Sequence, residues 1–184
     1  EEFSTSFGIT VVPRPQNSTL AASMGWMLPS DSANGRLIGV DFDQRLELLG
    51  GAAMFRASYL NWTINSELFD SVRESTLSIE MQVNLLSGNM MLLRENGLVS
   101  TWFGGGVTLA PYRQTLTFEG EVPVTGWGIS QFGTMGIAGV GRRALGGQLF
   151  FEGRWIGLRD GGGSVAYGDS IGGVAALVGF RLIL

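Results

Sequence analysis

The sequence predicts an all-β chain whose strands close into a transmembrane antiparallel up-and-down β-barrel of eight strands, with ten as the alternative count, preceded by an N-terminal extension. Three observations carry this. Apolar and polar residues alternate with period two in segments of roughly nine to eleven residues, the length a tilted strand needs to cross a bilayer. Mean hydropathy is +0.22 with only 15% charged residues, although no run of roughly twenty apolar residues exists to make a spanning helix. In the last fourteen residues, from Ile171, one parity is continuously apolar: Val174, Ala176, Val178, Phe180, Leu182 and Leu184. A strand sealing a barrel against lipid shows such a face. A buried strand of a soluble sandwich shows it too, and that alternative stays open at this point.

Composition removes several function classes. The 184 residues fit one domain. They include 29 glycines, no cysteine and no histidine, and all 12 basic residues are arginine. Disulfides, thiolate metal sites and the commonest general base and metal ligand are therefore missing. A formal charge of −4 argues against nucleic acid as a partner, because that binding depends on clustered basic residues. No cofactor is expected: the glycine clusters 104–106 and 161–163 are followed by no Lys-Ser/Thr pair and open no helix. Glu1 begins the chain without a basic segment or apolar leader, so a secreted chain is expected to have lost its signal peptide already.

In chain order, residues 1–17 read as an arm. Phe3, Phe7, Ile9 and Val11 share one edge, and Pro13 and Pro15 end the segment. The barrel is assigned to 18–184. Its first strand runs from Ser18 with Leu20, Ala22, Met24, Trp26 and Leu28 on one face, and 29–36 is a loop. Ile38, Val40, Phe42, Leu46 and Leu48 then alternate with Asp41, Asp43, Arg45 and Glu47, before a turn at 49–51. Residues 52–64 change parity, which a β-bulge near Tyr59 would reconcile. A polar loop is expected at 65–74. The clearest alternation follows, with Leu77, Ile79, Met81, Val83 and Leu85 taken as outward and Ser78, Glu80, Gln82 and Asn84 as inward. Residues 87–97 read as a long connection with an apolar middle, and Val99, Phe103, Val107 and Leu109 line a glycine-rich strand. After a loop at 111–126 come a strand through 133–141, a turn at 142–147, a strand carrying Leu149, Phe151 and Trp155, a loop from Arg159, and the closing strand.

With eight strands, Trp26, Trp62, Trp127 and Trp155 fall near one end of their strands, where an interfacial aromatic girdle would stand. The polar parity becomes the lumen. It collects Asp41, Asp43, Glu47, Glu80 and Glu152 against Arg45, Arg56, Arg154 and Arg181. Charges in a narrow interior persist only when paired, and this near balance permits a lumenal ion-pair network. Asp41 and Asp43 stand about 7 Å apart on one strand face, where pairing with Arg45 or Arg56 is favoured over hydrolytic chemistry.

Thr101-Trp-Phe-Gly-Gly-Gly-Val-Thr, Gly136-Ile-Ala-Gly-Val-Gly-Arg-Arg, Gln148-Leu-Phe-Phe-Glu-Gly-Arg-Trp and Val178-Gly-Phe-Arg-Leu resemble successive strands of the small OmpA-like bacterial outer-membrane β-barrel family. The resemblance covers roughly the second half of the chain. It implies a Gram-negative outer membrane, contact with outer-membrane lipid, insertion by the barrel-assembly machinery, and a structural or adhesive role. Palmitoyl transferases, lipid A deacylases and omptin proteases share only the architecture, and each relies on a histidine that this chain lacks. The function expected is therefore non-enzymatic, a structural scaffold or an interaction partner within an envelope assembly, with a small channel or carrier for small or apolar solutes as the alternative. The arm (Phe3, Phe7, Ile9, Val11) and the connection (Met90, Met91, Leu92, Leu93) are the candidate contacts for a periplasmic or outer-membrane protein partner.

Overall fold

The computed structural model describes residues 18–29, 35–46, 52–70, 75–158 and 172–184. Eight antiparallel strands form one closed barrel in sequence order: β1 (Ser18–Pro29), β2 (Gly35–Leu46), β3 (Ala53–Asp70), β4 (Ser75–Asn96), β5 (Val99–Phe118), β6 (Val124–Ala144), β7 (Gly147–Leu158) and β8 (Gly173–Ile183). Closure comes from β1 pairing with β8, Ser23 opposite Gly179 and Met24 opposite Val178. Ser18 and Leu184 lie at the same end, the proximal end, and the other end is distal. The arm 1–17 and Glu47 lie outside the described residues.

The exterior is apolar along the part of the barrel that all eight strands share. Met24, Trp26, Ile38, Val40, Phe103, Val107, Phe151, Trp155, Val174 and Val178 are all exposed large apolar side chains. The inward parity of the same strands buries Asp41, Asp43, Arg56, Glu152, Arg154 and Arg181. Apolar outside with charge inside is the reverse of a water-soluble sandwich, and the exposed belt is satisfied by lipid.

The middle strands differ from the sequence expectation. The segment 87–97 is no connection: β4 runs unbroken from Ser75 to Asn96, and the turn is only Gly97-Leu98, with Gly97 at φ 61°. The Met90–Leu93 cluster simply belongs to that strand, with Met90 and Leu92 outward and Met91 buried inside. The expected polar loops 65–74 and 111–126 shrink likewise, because β3 extends to Asp70 and β5 to Phe118. No bulge interrupts β3, which pairs with β2 and β4 in constant register through Tyr59. The observed irregularity lies between β5 and β6, at Ala110/Tyr112, beside Pro111, which cannot donate to a ladder. At the proximal end, Leu145 (φ 53°) and Gly146 (φ 77°) form a two-residue hairpin turn of the left-handed kind that suits strand twist.

Because β3 to β6 are 18 to 22 residues long and the other four 11 or 12, a four-stranded wall rises from the distal rim. Here the facing of β4 is opposite to the sequence expectation. Ile79, Met81, Val83 and Leu85 are buried inside, while Glu80 and Gln82 are exposed outside. The alternation is real, but this stretch stands above the lipid belt, so its polar parity meets water and its apolar parity packs inward. The lipid boundary on this side is marked by outward Tyr59, whose hydroxyl donates to Asn84 Oδ1 at 2.7 Å, and by Asn61, whose amide donates to the same oxygen at 2.8 Å.

Arginine substitutions read this boundary directly. At Val178, near the middle of β8 on the lipid face, arginine is expected to cost roughly 2–4 kcal/mol in reversible urea unfolding in lipid vesicles. At Gln82 it is expected to be nearly neutral, and at Met81 it destabilises by burying an unpaired charge. Equal costs at Val178 and Gln82 would show that the wall lies within the bilayer.

Candidate functional site

The bore has two storeys of different chemistry. The proximal storey is a cluster in which three arginines meet three carboxylates, all at most 4% exposed. Arg56 donates from Nε to Asp43 Oδ1 at 2.5 Å and from Nη1 to Glu152 Oε2 at 2.5 Å. Arg154 donates from Nε to Glu152 Oε1 and from Nη2 to Asp41 Oδ2, each at 2.6 Å. Glu152 Oε2 also accepts from Trp102 Nε1 at 2.6 Å. Arg181 sits 3.1 Å from Asp43 Oδ2. That contact is electrostatic, since Arg181 Nε lacks hydrogen-bond geometry to any partner; Nη1 donates to Gln148 Oε1 at 2.8 Å.

Strand alternation explains how the cluster assembles. Asp41 and Asp43 are two apart on β2, and Glu152 and Arg154 are two apart on β7, so each pair shares the inward face. The barrel then sets β2 and β7 across the bore from each other, which lets Arg154 reach Asp41. The surroundings are shaped for it. A Cβ on Gly139 would meet the Trp102 ring at 2.5 Å, and one on Gly179 would meet the Phe150 ring at 2.5 Å. These two inward glycines make room for the rings on which Arg181 lies, 4.4 Å from the Trp102 centroid and 5.2 Å from that of Phe150. Trp102 is the member that sequence reasoning missed. Its signal was present, because it sits on the parity opposite outward Phe103, beside Gly104.

The distal storey is apolar. Leu37, Leu60, Trp62, Val83, Leu85, Tyr112, Met135 and Ile156 fill it. Trp62 is thus inside the bore, fully buried, and is no member of a lipid-facing girdle. Trp26 and Trp155 are outward and exposed. Trp127 is outward too, but on the wall, with Arg113 stacked 5.4 Å from its ring. One hydrogen-bonded row runs Trp26, Arg36, Thr63, Gln82, Arg113, Trp127. Followed the other way through Ala176 and Gly153, the row meets β6 at Ala138, eleven residues (138 − 127) nearer the proximal end. Rows climb around a tilted barrel in this way, so Trp127 stands well above the level of Trp26.

Of the other sequence candidates, Glu80 is exposed on the outer face of the wall. Arg45 lies at the proximal mouth and pairs with Glu95, which Arg143 also approaches at 3.5 Å. A cavity of about 270 Å³ opens there, with Arg181, Gln148 and Asp43 among its lining residues.

Breaking the inner cluster on one side leaves buried charge uncompensated. Glu152→Gln removes the carboxylate shared by Arg56 and Arg154 and is expected to cost about 3–5 kcal/mol. The measurement is urea unfolding in lipid vesicles, and a loss below 1 kcal/mol would mean that the cluster is not a closed, dry network.

No family model and no curated protein matches the chain. Solved structures do. Neisserial surface protein A aligns with a TM-score of 0.62 at 12% identity, covering 91% of this chain and 96% of that one. The attachment invasion locus protein of Yersinia pestis aligns at 0.47 and 10% identity over 90% and 97% of the two chains. The N-terminal β-barrel domain of Pseudomonas aeruginosa OprF aligns at 0.43 and 16% over 90% and 96%. With its closed strand order and lipid-facing exterior, the chain has the fold of the small eight-stranded outer-membrane β-barrels, the one it shares with neisserial surface protein A.

Proposed function

We propose that the protein is a non-enzymatic component of a Gram-negative outer membrane, acting as a structural scaffold or interaction partner within an envelope assembly. The observation that carries this reading is the filled bore, charged below and apolar above. Eight strands leave an interior just wide enough for side chains. With its centre filled, the barrel offers its two ends for function. At the distal end, Phe69, Val122 and Trp127 are 70%, 84% and 76% exposed on the wall and its connecting turn, beyond the belt that lipid covers. Exposed apolar surface of this kind supports contact with another macromolecule. On this reading the partners are outer-membrane lipid, the barrel-assembly machinery during biogenesis, and an envelope protein at one end; the arm 1–17 remains a candidate periplasmic contact.

The reading of a small channel or carrier for small or apolar solutes has the proximal cavity in its favour. That cavity reaches Arg181 and Asp43, which belong to the charged cluster, and the apolar storey lies beyond them. Reconstitution into planar bilayers tests the choice: the scaffold predicts a membrane that stays electrically silent. Reproducible single-channel steps from the wild-type protein would instead assign it to solute passage.

A further inference from the structure

We infer that the proximal mouth of the bore is a binding site for one carboxylate carried on a small apolar group. The cavity of about 270 Å³ at this end lies near the lower limit of small-molecule pockets, about 300–1,000 Å³. It suits a ligand about the size of a single amino acid.

Charge sets the ligand class. The cavity is lined by three arginines, Arg45, Arg143 and Arg181, and by two carboxylates, Asp43 and Glu95, and three minus two leaves +1. Both carboxylates are already engaged, Asp43 by Arg56 and Arg181 and Glu95 by Arg45 and Arg143. The surplus therefore sits on the guanidinium groups. A monoanion balances it, whereas a phosphate dianion would leave a net −1 in a partly enclosed space, which is costly.

The donors are also prepared for an anion. Arg181 lines the cavity at 4% exposure, and its Nη2 is buried in the cavity wall without a hydrogen-bond partner. Its plane is held in advance by the Trp102 and Phe150 rings and by Gln148, so little side-chain freedom is lost when a ligand binds. Arg143 is half exposed and holds Glu95 only through a 3.5 Å contact. A guanidinium offers paired donors that match a planar carboxylate. Met54, Leu93 and Ile183 supply the apolar part of the cavity lining, alongside its polar groups. They fit the hydrocarbon part of an amino acid or a short acid.

The site lies at the proximal mouth and does not depend on whether the bore conducts, so it can fail while the scaffold reading stands. The test is NMR of the full chain in detergent micelles, following the Gln148 side-chain amide and the Trp102 indole N–H. N-acetyl-leucine is expected to shift both saturably, and N-acetyl-leucinamide, which lacks the carboxylate, is expected to shift neither. Arg143→Gln lies outside the balanced inner cluster, and is expected to weaken N-acetyl-leucine binding about tenfold with the spectrum of the free protein otherwise preserved. Comparing N-acetyl-leucine with a tetrapeptide ending in leucine separates the sources: tighter peptide binding assigns the site to a protein C-terminus, tighter N-acetyl-leucine binding to a free acid. No saturable shift at millimolar N-acetyl-leucine, an equal shift with the amide, undiminished binding in Arg143→Gln, or inorganic phosphate binding as tightly as N-acetyl-leucine would each overturn the assignment.

Discussion

The interaction on which the rest of the structure depends is the neutral cluster of Asp41, Asp43, Glu152, Arg56, Arg154 and Arg181. Three positive and three negative charges are buried inside a barrel that lipid surrounds, so the nearest bulk water is at its ends. Burying a charge singly is prohibitive, and burying it in a balanced, hydrogen-bonded set is tolerable. The pairs join residues 96 and 113 positions apart in sequence. They therefore couple β2 and β3 to β7 across the bore, a connection that the ladder of neighbouring strands does not make. The other fillers serve this set. Trp102 donates to Glu152, Gly139 leaves the space for Trp102, and Arg181 lies against Trp102 and Phe150.

Strand periodicity was legible in the sequence because lipid outside and charge inside impose opposite polarities on alternate residues. The closing strand illustrates this, with Val174, Val178 and Leu182 outward and Arg181 inward. The same periodicity misleads above the bilayer. In upper β4 the apolar residues Ile79 to Leu85 face inward, as in a soluble protein, because their outer neighbours meet water. Alternation gives the period, and the surrounding solvent decides which parity is inside. A one-dimensional pattern carries no height, so a rule that holds at Val178 inverts at Met81. Glu80 was placed in the lumen and Trp62 at the lipid interface by the same slip.

The strand limits failed for a related reason. Polar stretches such as Asn65-Ser-Glu67 and Thr115, together with Pro111, look like loops when every strand is taken to be only as long as a membrane is thick. In a wall that continues into water, polar residues on the outer face are ordinary strand residues. Pro111 is accommodated where the β5–β6 register shifts. Conversely, Met90 to Leu93 looked anomalous only because a turn was expected there; within β4 they alternate between lipid and lumen like their neighbours. The arginines at the mouth could be found as residues but not as a site, since Arg45, Glu95 and Arg143 come from three strands and meet only after closure.

On the scaffold reading the two storeys serve as complementary barriers. An ion reaching the distal storey would have to leave its hydration shell among Leu60, Trp62, Val83 and Leu85, which offer almost nothing in exchange. An apolar solute reaching the proximal storey would have to separate buried arginines from the carboxylates they are paired with and could not replace those hydrogen bonds. A bore lined throughout by one chemistry would remain weakly permeable to solutes of that kind. On the scaffold reading, stacking the two excludes both classes without a lid and leaves the two ends of the barrel for binding.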